Sequence, residues 1–165
     1  MQIRQLTEKD AEDYFVLRIR ALREHPEAFA KSPEEVEELG ISRLAEQFKE
    51  GRTVTFGSFS GSTLTGMATL IPDYRPKTKH KGWLTGMYVI PECRNEGIGT
   101  QLVERVLEEA AVRGMKYVHL TSAEKNHAAE SLYSQMGFRR WGKEPASLWV
   151  NGNWVDEVHY VREIE

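Results

Sequence analysis

The spacing of apolar residues changes character several times along this chain, and each change marks an element. In MQIRQL (residues 1–6), Ile3 and Leu6 are the apolar positions of an alternating run that reads as a first strand. TEKD follows as a capping box, with Thr7 offering an oxygen and Asp10 standing three residues later. Tyr14, Leu17, Ala21 and Leu22 then recur at helical spacing and predict a helix from about Glu8 to Glu24. A second helix opens at Ser32, with Pro33 in its first turn and Glu35 at the third position, and closes near Gly51.

The texture then turns to β-branched and aromatic residues. TVTFGSFSGSTLTGMATLIP (residues 53–72) reads as a hairpin about Gly61–Ser62. The basic stretch Arg75–Lys81 is the next loop, and GWLTGMYVI (residues 82–90) is a strand stopped by Pro91. From Ile98 the apolar positions are Leu102, Val103, Val106, Leu107, Ala110 and Ala111, an amphipathic helix that packs on a sheet and is closed by Gly114. YVHLTS (Tyr117–Ser122) is a short strand and NHAAESLYSQMG a helix ended by Gly137. FRRW and NWVDEVHYVREI are the final strands, turning near Asn151–Gly152. No repeat, low-complexity tract or linker divides the chain. Residues 1–165 are therefore expected to form one domain of α/β or α+β class, a single sheet covered by helices.

Chemistry enters at CRNEGIGTQL, where a loop becomes a helix. The first amides of a helix have no intrahelical partner, and the dipole adds roughly half a positive charge at that end. Gly97 and Gly99 remove the Cβ atoms that would hold an anion off these donors, and Arg94 can add charge from the side. The backbone of Arg94, Asn95, Glu96, Gly97, Ile98, Gly99 and Thr100 thus describes a seat for a pyrophosphate. A Rossmann fingerprint needs a third glycine where Leu102 stands, and a nucleotide-hydrolysing P-loop needs Gly-Lys-Ser/Thr, which is missing.

Composition narrows the rest. A net charge of −3 gives no basic field for nucleic acid. Cys93 is the only cysteine, so an internal disulfide or a cysteine-built zinc site is excluded, and the five histidines show no ligand spacing for a metal. The amino terminus lacks the apolar stretch of a signal peptide, and no run approaches the roughly 18 apolar residues that span a bilayer. A cytoplasmic protein without a membrane partner is expected.

The glycine pair has company. From WLTGMYVIPECRNEGIGTQL through NHAAESLYSQMGF the chain resembles the GCN5-related N-acetyltransferase (GNAT) superfamily. Arg94, Gly97 and Gly99 match its Arg/Gln-x-x-Gly-x-Gly/Ala motif, just after a strand ending Tyr-Val-x-Pro. Asn126, Ala129, Leu132, Tyr133 and Gly137–Phe138 match a second motif about 30 residues later. The resemblance implies a mixed, mostly antiparallel sheet of six to seven strands flanked by about four helices. It also implies acetyl-CoA as co-substrate, its pyrophosphate on the glycine loop and its pantetheine arm along the backbone of Tyr88 and Val89. The N–H of Val89 then faces the thioester oxygen, Asn126 contacts the pantetheine, and Tyr133 is the candidate general acid toward the departing sulfur.

The resemblance leaves the general base open. The strand that supplies a glutamate in some members has no acid here, and His80, Glu124, Glu157 and His159 are the other candidates. Cys93 precedes the phosphate turn rather than the thioester end, which argues against an acetyl-cysteine route. The acceptor is a small-molecule amine or a peptide amine. Trp83, Trp141, Trp149 and Trp154 are candidates to line its pocket, and a homodimer through an edge strand is compatible with the pattern. The competing reading is a non-catalytic CoA-binding or sensory module on the same scaffold.

Overall fold

Seven strands form one mixed sheet in the order β1-β2-β3-β4-β5-β7-β6 in the computed structural model, which describes residues 1–165. The strands are β1 (Gln2–Gln5), β2 (Val54–Ser60), β3 (Thr63–Pro72), β4 (Lys81–Val89), β5 (Tyr117–Ala123), β6 (Arg139–Val150) and β7 (Asn153–Glu163). The helices are α1 (Ala11–Glu24), α2 (Pro33–Glu50), α3 (Ile98–Val112) and α4 (His127–Gln135). Neighbouring strands run antiparallel except β4 and β5, which are parallel. No helix is long and apolar enough to cross a membrane.

The two sides of the sheet carry separate cores. Under α3 and α4 lies a cluster of 19 buried residues that includes the α3 stripe Leu102, Val103, Val106 and Ala110, each 0% exposed. Burial of a Leu or Val side chain contributes about 1.5–3 kcal/mol, so this stripe is what fixes α3 to the sheet. Under α1 and α2 lies a smaller cluster of 11 residues, among them Leu17, Leu22, Val36, Met67 and Tyr88.

The capping box read at Thr7 is present, and the helix start read at Ser32 closes a second one. Ser32 N–H donates to Glu35 at 2.7 Å, and Glu35 N–H donates back to the Ser32 hydroxyl at 3.3 Å. At Thr7 the N–H donates to Asp10 at 2.8 Å, and the same carboxylate accepts two hydrogen bonds from Arg4, at 2.8 Å each. Arg4 and these bonds hold the Asp10 carboxyl below its ordinary value.

Three boundaries differ from the sequence reading. Residues 8–10 form a single 3-10 turn, so α1 proper begins at Ala11. The second helix is not continuous: Gly40, at φ 79 and ψ 163, breaks it into two segments, a conformation that a residue with a Cβ resists. The last difference is β6, which runs twelve residues rather than the four of FRRW. Pro145 and the polar run around it hide the strand, but β6 lies at the sheet edge, where a proline needs no ladder partner. A bulge carries Ala146 at φ 51, and its N–H donates to Asp156 at 2.7 Å.

Candidate functional site

The sheet opens at its only parallel pair. β4 and β5 are bonded just at Lys81–Trp83 with Tyr117–His119, and beyond these residues no pairing joins them. β5 stays paired with β7 as far as Ala123, and β4 stays paired with β3 as far as Val89. A wedge therefore separates Leu84–Val89 from Leu120–Ala123.

A bulge in β4 shapes one wall of this wedge. Register with β3 shifts between Met67↔Tyr88 and Thr69↔Thr85, and Gly86 there takes φ +63. Leu84 and Tyr88 are four residues apart, an even spacing that would put them on one face of a regular strand. Leu84 instead packs in the α3 core and Tyr88 in the α1 core. The extra residue has exchanged the faces.

The same parity argument aims the amides. Ile90 N–H donates to the Thr65 carbonyl at 2.9 Å, toward β3. Backbone groups alternate sides along a strand, so those of Val89 point the other way, into the wedge. Val89 O accordingly accepts from Arg94 Nε at 2.9 Å. Tyr88 faces β3 with its backbone and α1 with its ring, so it positions Val89 rather than lining the wedge itself.

The wedge ends at the glycine loop. Asn95 at φ 65 and Gly97 at φ 76 are both left-handed, and Gly97 is the N-cap of α3 without any side-chain cap. None of the amides from Asn95 through Thr100 donates to a protein acceptor, and the first helical bond is Gln101 N–H to Gly97 O at 3.1 Å. Asn95, Glu96 and Gly97 are exposed, Gly99 and Thr100 half-buried, and Ile98 is anchored in the core. This row of free donors at a helix start suits a phosphate group. Gly99 serves it differently from Gly97: a Cβ at Gly99 would meet Met87 Cε at 3.1 Å and Leu132 Cδ2 at 3.4 Å. Its missing side chain faces the packed interior rather than the open loop, and it lets α3 start close against β4 and α4.

α4 brings up the other side. Asn126 is its N-cap, with Oδ1 accepting from Ala129 N–H at 3.1 Å. Tyr133 is 6% exposed and its ring meets Phe138 edge-on at 5.8 Å and Tyr160 at 6.3 Å. Burial, with Tyr160 second, raises the Tyr133 phenol well above its ordinary value. Its hydroxyl has no protein partner among the hydrogen bonds around it.

On the α1 face a polar chain ties the helix to β4. Tyr88 donates its hydroxyl to Glu24 at 2.5 Å, and Arg20 bonds both Glu24 at 2.7 Å and Glu92 at 2.9 Å. Burial and then Glu24 push the Tyr88 phenol up to about 12. Arg94 folds back over the Tyr88 ring, 5.7 Å from its centroid, with Nη2 at 3.2 Å from His25 Nε2. Arg18 reaches the bulge: its guanidinium lies 4.9 Å over the Phe29 ring, and a Cβ at Gly86 would stand 3.3 Å from Nη1.

The four sequence candidates for a base are scattered. His80 precedes the closed end of the wedge, edge-on to Tyr117. Glu124 is engaged by Lys143 at 3.0 Å, His159 by Glu144 at 3.0 Å, and Glu157 accepts from the Ser147 hydroxyl. His119, which the sequence reading passed over, packs at 5.3 Å on Trp83 where the strands part. Burial, with Lys81, His159 and His80 nearby, holds it below the ordinary imidazole value. The tryptophans form separate pairs instead of one pocket: Trp83 with His119, Trp141 with His159, and Trp149 with Trp154 at the β6–β7 hairpin tip.

Sequence reasoning also missed Gly86 and Arg18. Signals for both existed: a lone glycine inside a strand pattern marks a bulge, and Arg18 sits in the apolar stripe of α1, one turn after Tyr14 and one before Leu22.

Comparison with known proteins agrees with this architecture. The mouse thialysine N-ε-acetyltransferase is 31% identical over 81 residues, 49% of this chain and 48% of that protein. The match thus spans about half the length of that relative. An acetyltransferase of the GNAT family from Streptococcus pneumoniae superposes with a TM-score of 0.90 at 22% identity, covering 99% of both chains. A GNAT superfamily phosphinothricin acetyltransferase from Sinorhizobium meliloti, solved in complex with acetyl-CoA, gives 0.85 at 15% identity over 99% of this chain and 88% of its own. These likenesses show the fold, a GNAT sheet with its four helices. The acetyltransferase (GNAT) family matches residues 13–138, which span the wedge, the glycine loop and Tyr133, and the chain belongs to that family.

Proposed function

We propose that this chain is an acetyl-CoA-dependent N-acetyltransferase that moves an acetyl group directly onto a primary amine. The observation that carries the reading is the row of uncommitted amides from Asn95 to Thr100 at the end of a wedge in the sheet. The loop offers donors and a helix dipole to a pyrophosphate, and the unpaired edge of β4 offers backbone to an extended arm. The mouse relative is named for thialysine and the Sinorhizobium one for phosphinothricin, which supports a small-molecule acceptor.

Acetyl-CoA supplies an activated thioester: the amine lone pair attacks its carbonyl carbon, the C–S bond breaks, the nitrogen loses a proton and the sulfur gains one. The chain's own groups serve that exchange. Val89 N–H, aimed into the wedge, donates to the oxygen on which negative charge develops. Asn126 has Oδ1 committed to Ala129, which leaves its Nδ2 to donate to the arm. Tyr133 donates a hydrogen bond to the departing sulfur. A phenol raised above its ordinary value of about 10 does not give its proton fully to a thiolate of pKa about 8.5, so stabilisation rather than transfer is its contribution.

Tyr133→Phe is therefore expected to lower kcat by about 10- to 100-fold, the worth of one hydrogen bond to a charged partner. The Kd for acetyl-CoA and the melting temperature should stay near wild type, since no protein hydrogen bond is lost. Steady-state thiol release and a thermal melt check this; an unchanged kcat removes Tyr133 from the reaction.

The whole reading is tested by calorimetric titration with acetyl-CoA and CoA, followed by thiol release across a panel of amines. Absence of any acyl-CoA binding overturns it. Because β4 carries no acid, one other result has a defined meaning: binding without turnover on every amine would make the chain a CoA-binding module.

A further inference from the structure

We propose that the amine acceptor carries a carboxylate and that Arg18 holds it; this rests on the acetyltransferase reading and names its substrate class. Three arginines lie on α1, and two of them close onto acids: Arg20 onto Glu24 and Glu92, Arg23 onto Glu37 at 2.7 Å. Arg18 meets no carboxylate. Its Nη1 is sealed from solvent and has no hydrogen-bond partner, although the side chain as a whole is only half-buried. A buried donor on a permanent cation without a partner is costly, and such a group in a folded protein calls for an explanation.

Position supplies one. The guanidinium is held between the Phe29 ring and the bulge at Gly86, with the Thr69 hydroxyl on the same side. The bulge lies on β4 just past its last pair with β5, Trp83↔His119, so Arg18 stands at the wall of the wedge, on the face opposite α3. Side-chain alternation puts His119 and Thr121 of β5 on that face too, because Val118 and Leu120, which alternate with them, belong to the α3 core. An acceptor approaching from this face meets the Arg18 cation beside the thioester end of the wedge. With Nη1 sealed against the bulge, the half-exposed remainder of the guanidinium, which no protein acceptor engages, is the edge open to a carboxylate, and stacking on Phe29 fixes its plane. Phe29, Thr69 and Gly86 bring no second cation to the spot, which fits a singly charged planar anion better than a phosphate.

The probes are the common L-amino acids, each beside its primary amide, assayed by thiol release and by calorimetric titration of the CoA-saturated protein. We expect kcat/KM to favour the acid over the amide by about 10- to 100-fold for the preferred side chain, the worth of a charge-assisted hydrogen bond. Arg18→Met should erase that ratio by raising the KM of the acid to that of the amide, and Arg18→Lys should restore part of it. A purely structural arginine would instead change acid and amide alike and lower the melting temperature. Equal use of acids and amides by the wild type overturns the proposal, as does an Arg18→Met variant that slows both by one factor. If acetyl transfer fails on every amine but the titration still separates acids from amides, the carboxylate site stands and the enzyme reading falls. If neither assay separates them, the proposal falls while acetyl-CoA binding is judged independently.

Discussion

Gly99→Asp should weaken acetyl-CoA binding by about 100-fold or more, through packing and charge together. An Asp side chain would start 3.1 Å from Met87 Cε and 3.4 Å from Leu132 Cδ2, so α3 must lift from β4 or α4 must give way. Overpacking of this kind costs about 1–3 kcal/mol, and a carboxylate pressed toward an apolar contact costs more. Either movement re-aims the free amides of the loop, and the carboxylate, forced against Met87 and Leu132, adds the cost of a buried charge. Gly99→Ala separates the contributions, since its methyl meets the same two atoms without the charge. Calorimetry with acetyl-CoA on both variants, beside thermal melts, reads the result. Wild-type affinity in the Asp variant would show that the pyrophosphate does not sit at this helix start.

The second large effect is expected at Gly86. At φ +63 a β-branched residue is strained, and its Cβ would also stand 3.3 Å from Arg18 Nη1 and 3.6 Å from Thr69 Oγ1. Gly86→Val can relieve the strain only by returning β4 to ordinary strand geometry. That removes the bulge and exchanges the faces of the residues that follow, Val89 included. A misplacement of about 1 Å at a reacting centre is worth about 100-fold in rate, so kcat should fall by at least that factor. The affinity for acetyl-CoA should fall far less, because the phosphate loop lies beyond the strand. Steady-state kinetics and calorimetry on one preparation make the comparison, and a Val variant with wild-type kcat would deny the bulge a part in the chemistry.

These expectations draw unequally on sequence and structure. The row of free amides was legible because it is local: Gly97, Ile98 and the amides between Asn95 and Thr100 belong to one short stretch, and helix physics alone leaves those donors unpaired. α3 was legible for a similar reason, since its apolar stripe repeats at one period over four turns. Resemblance to the family singled out Asn126 and Tyr133, and the helix that carries them was readable from its pattern, but the depth of Tyr133 was not. Its burial comes from Phe138 and Tyr160, and Tyr160 lies on a strand at the far end of the chain.

What escaped was set by partners distant in sequence. β6 looked like four residues because Pro145 and Ala146 break its pattern, yet β7 holds it through twelve. Gly40 sits in a helical period that predicts no break, and the two segments it separates are seen only in the fold.

By itself, then, the sequence determined the order of elements, the helix caps and the glycine turn with its free amides, since each depends on neighbours within a few residues. Only the tertiary structure decided that β4 and β5 part after three residue pairs, that a bulge aims Val89 into the opening, and that Arg18 arrives there without an acid. Pairing register and burial are properties of residues brought together across the chain, and no local period encodes which side chain will meet which.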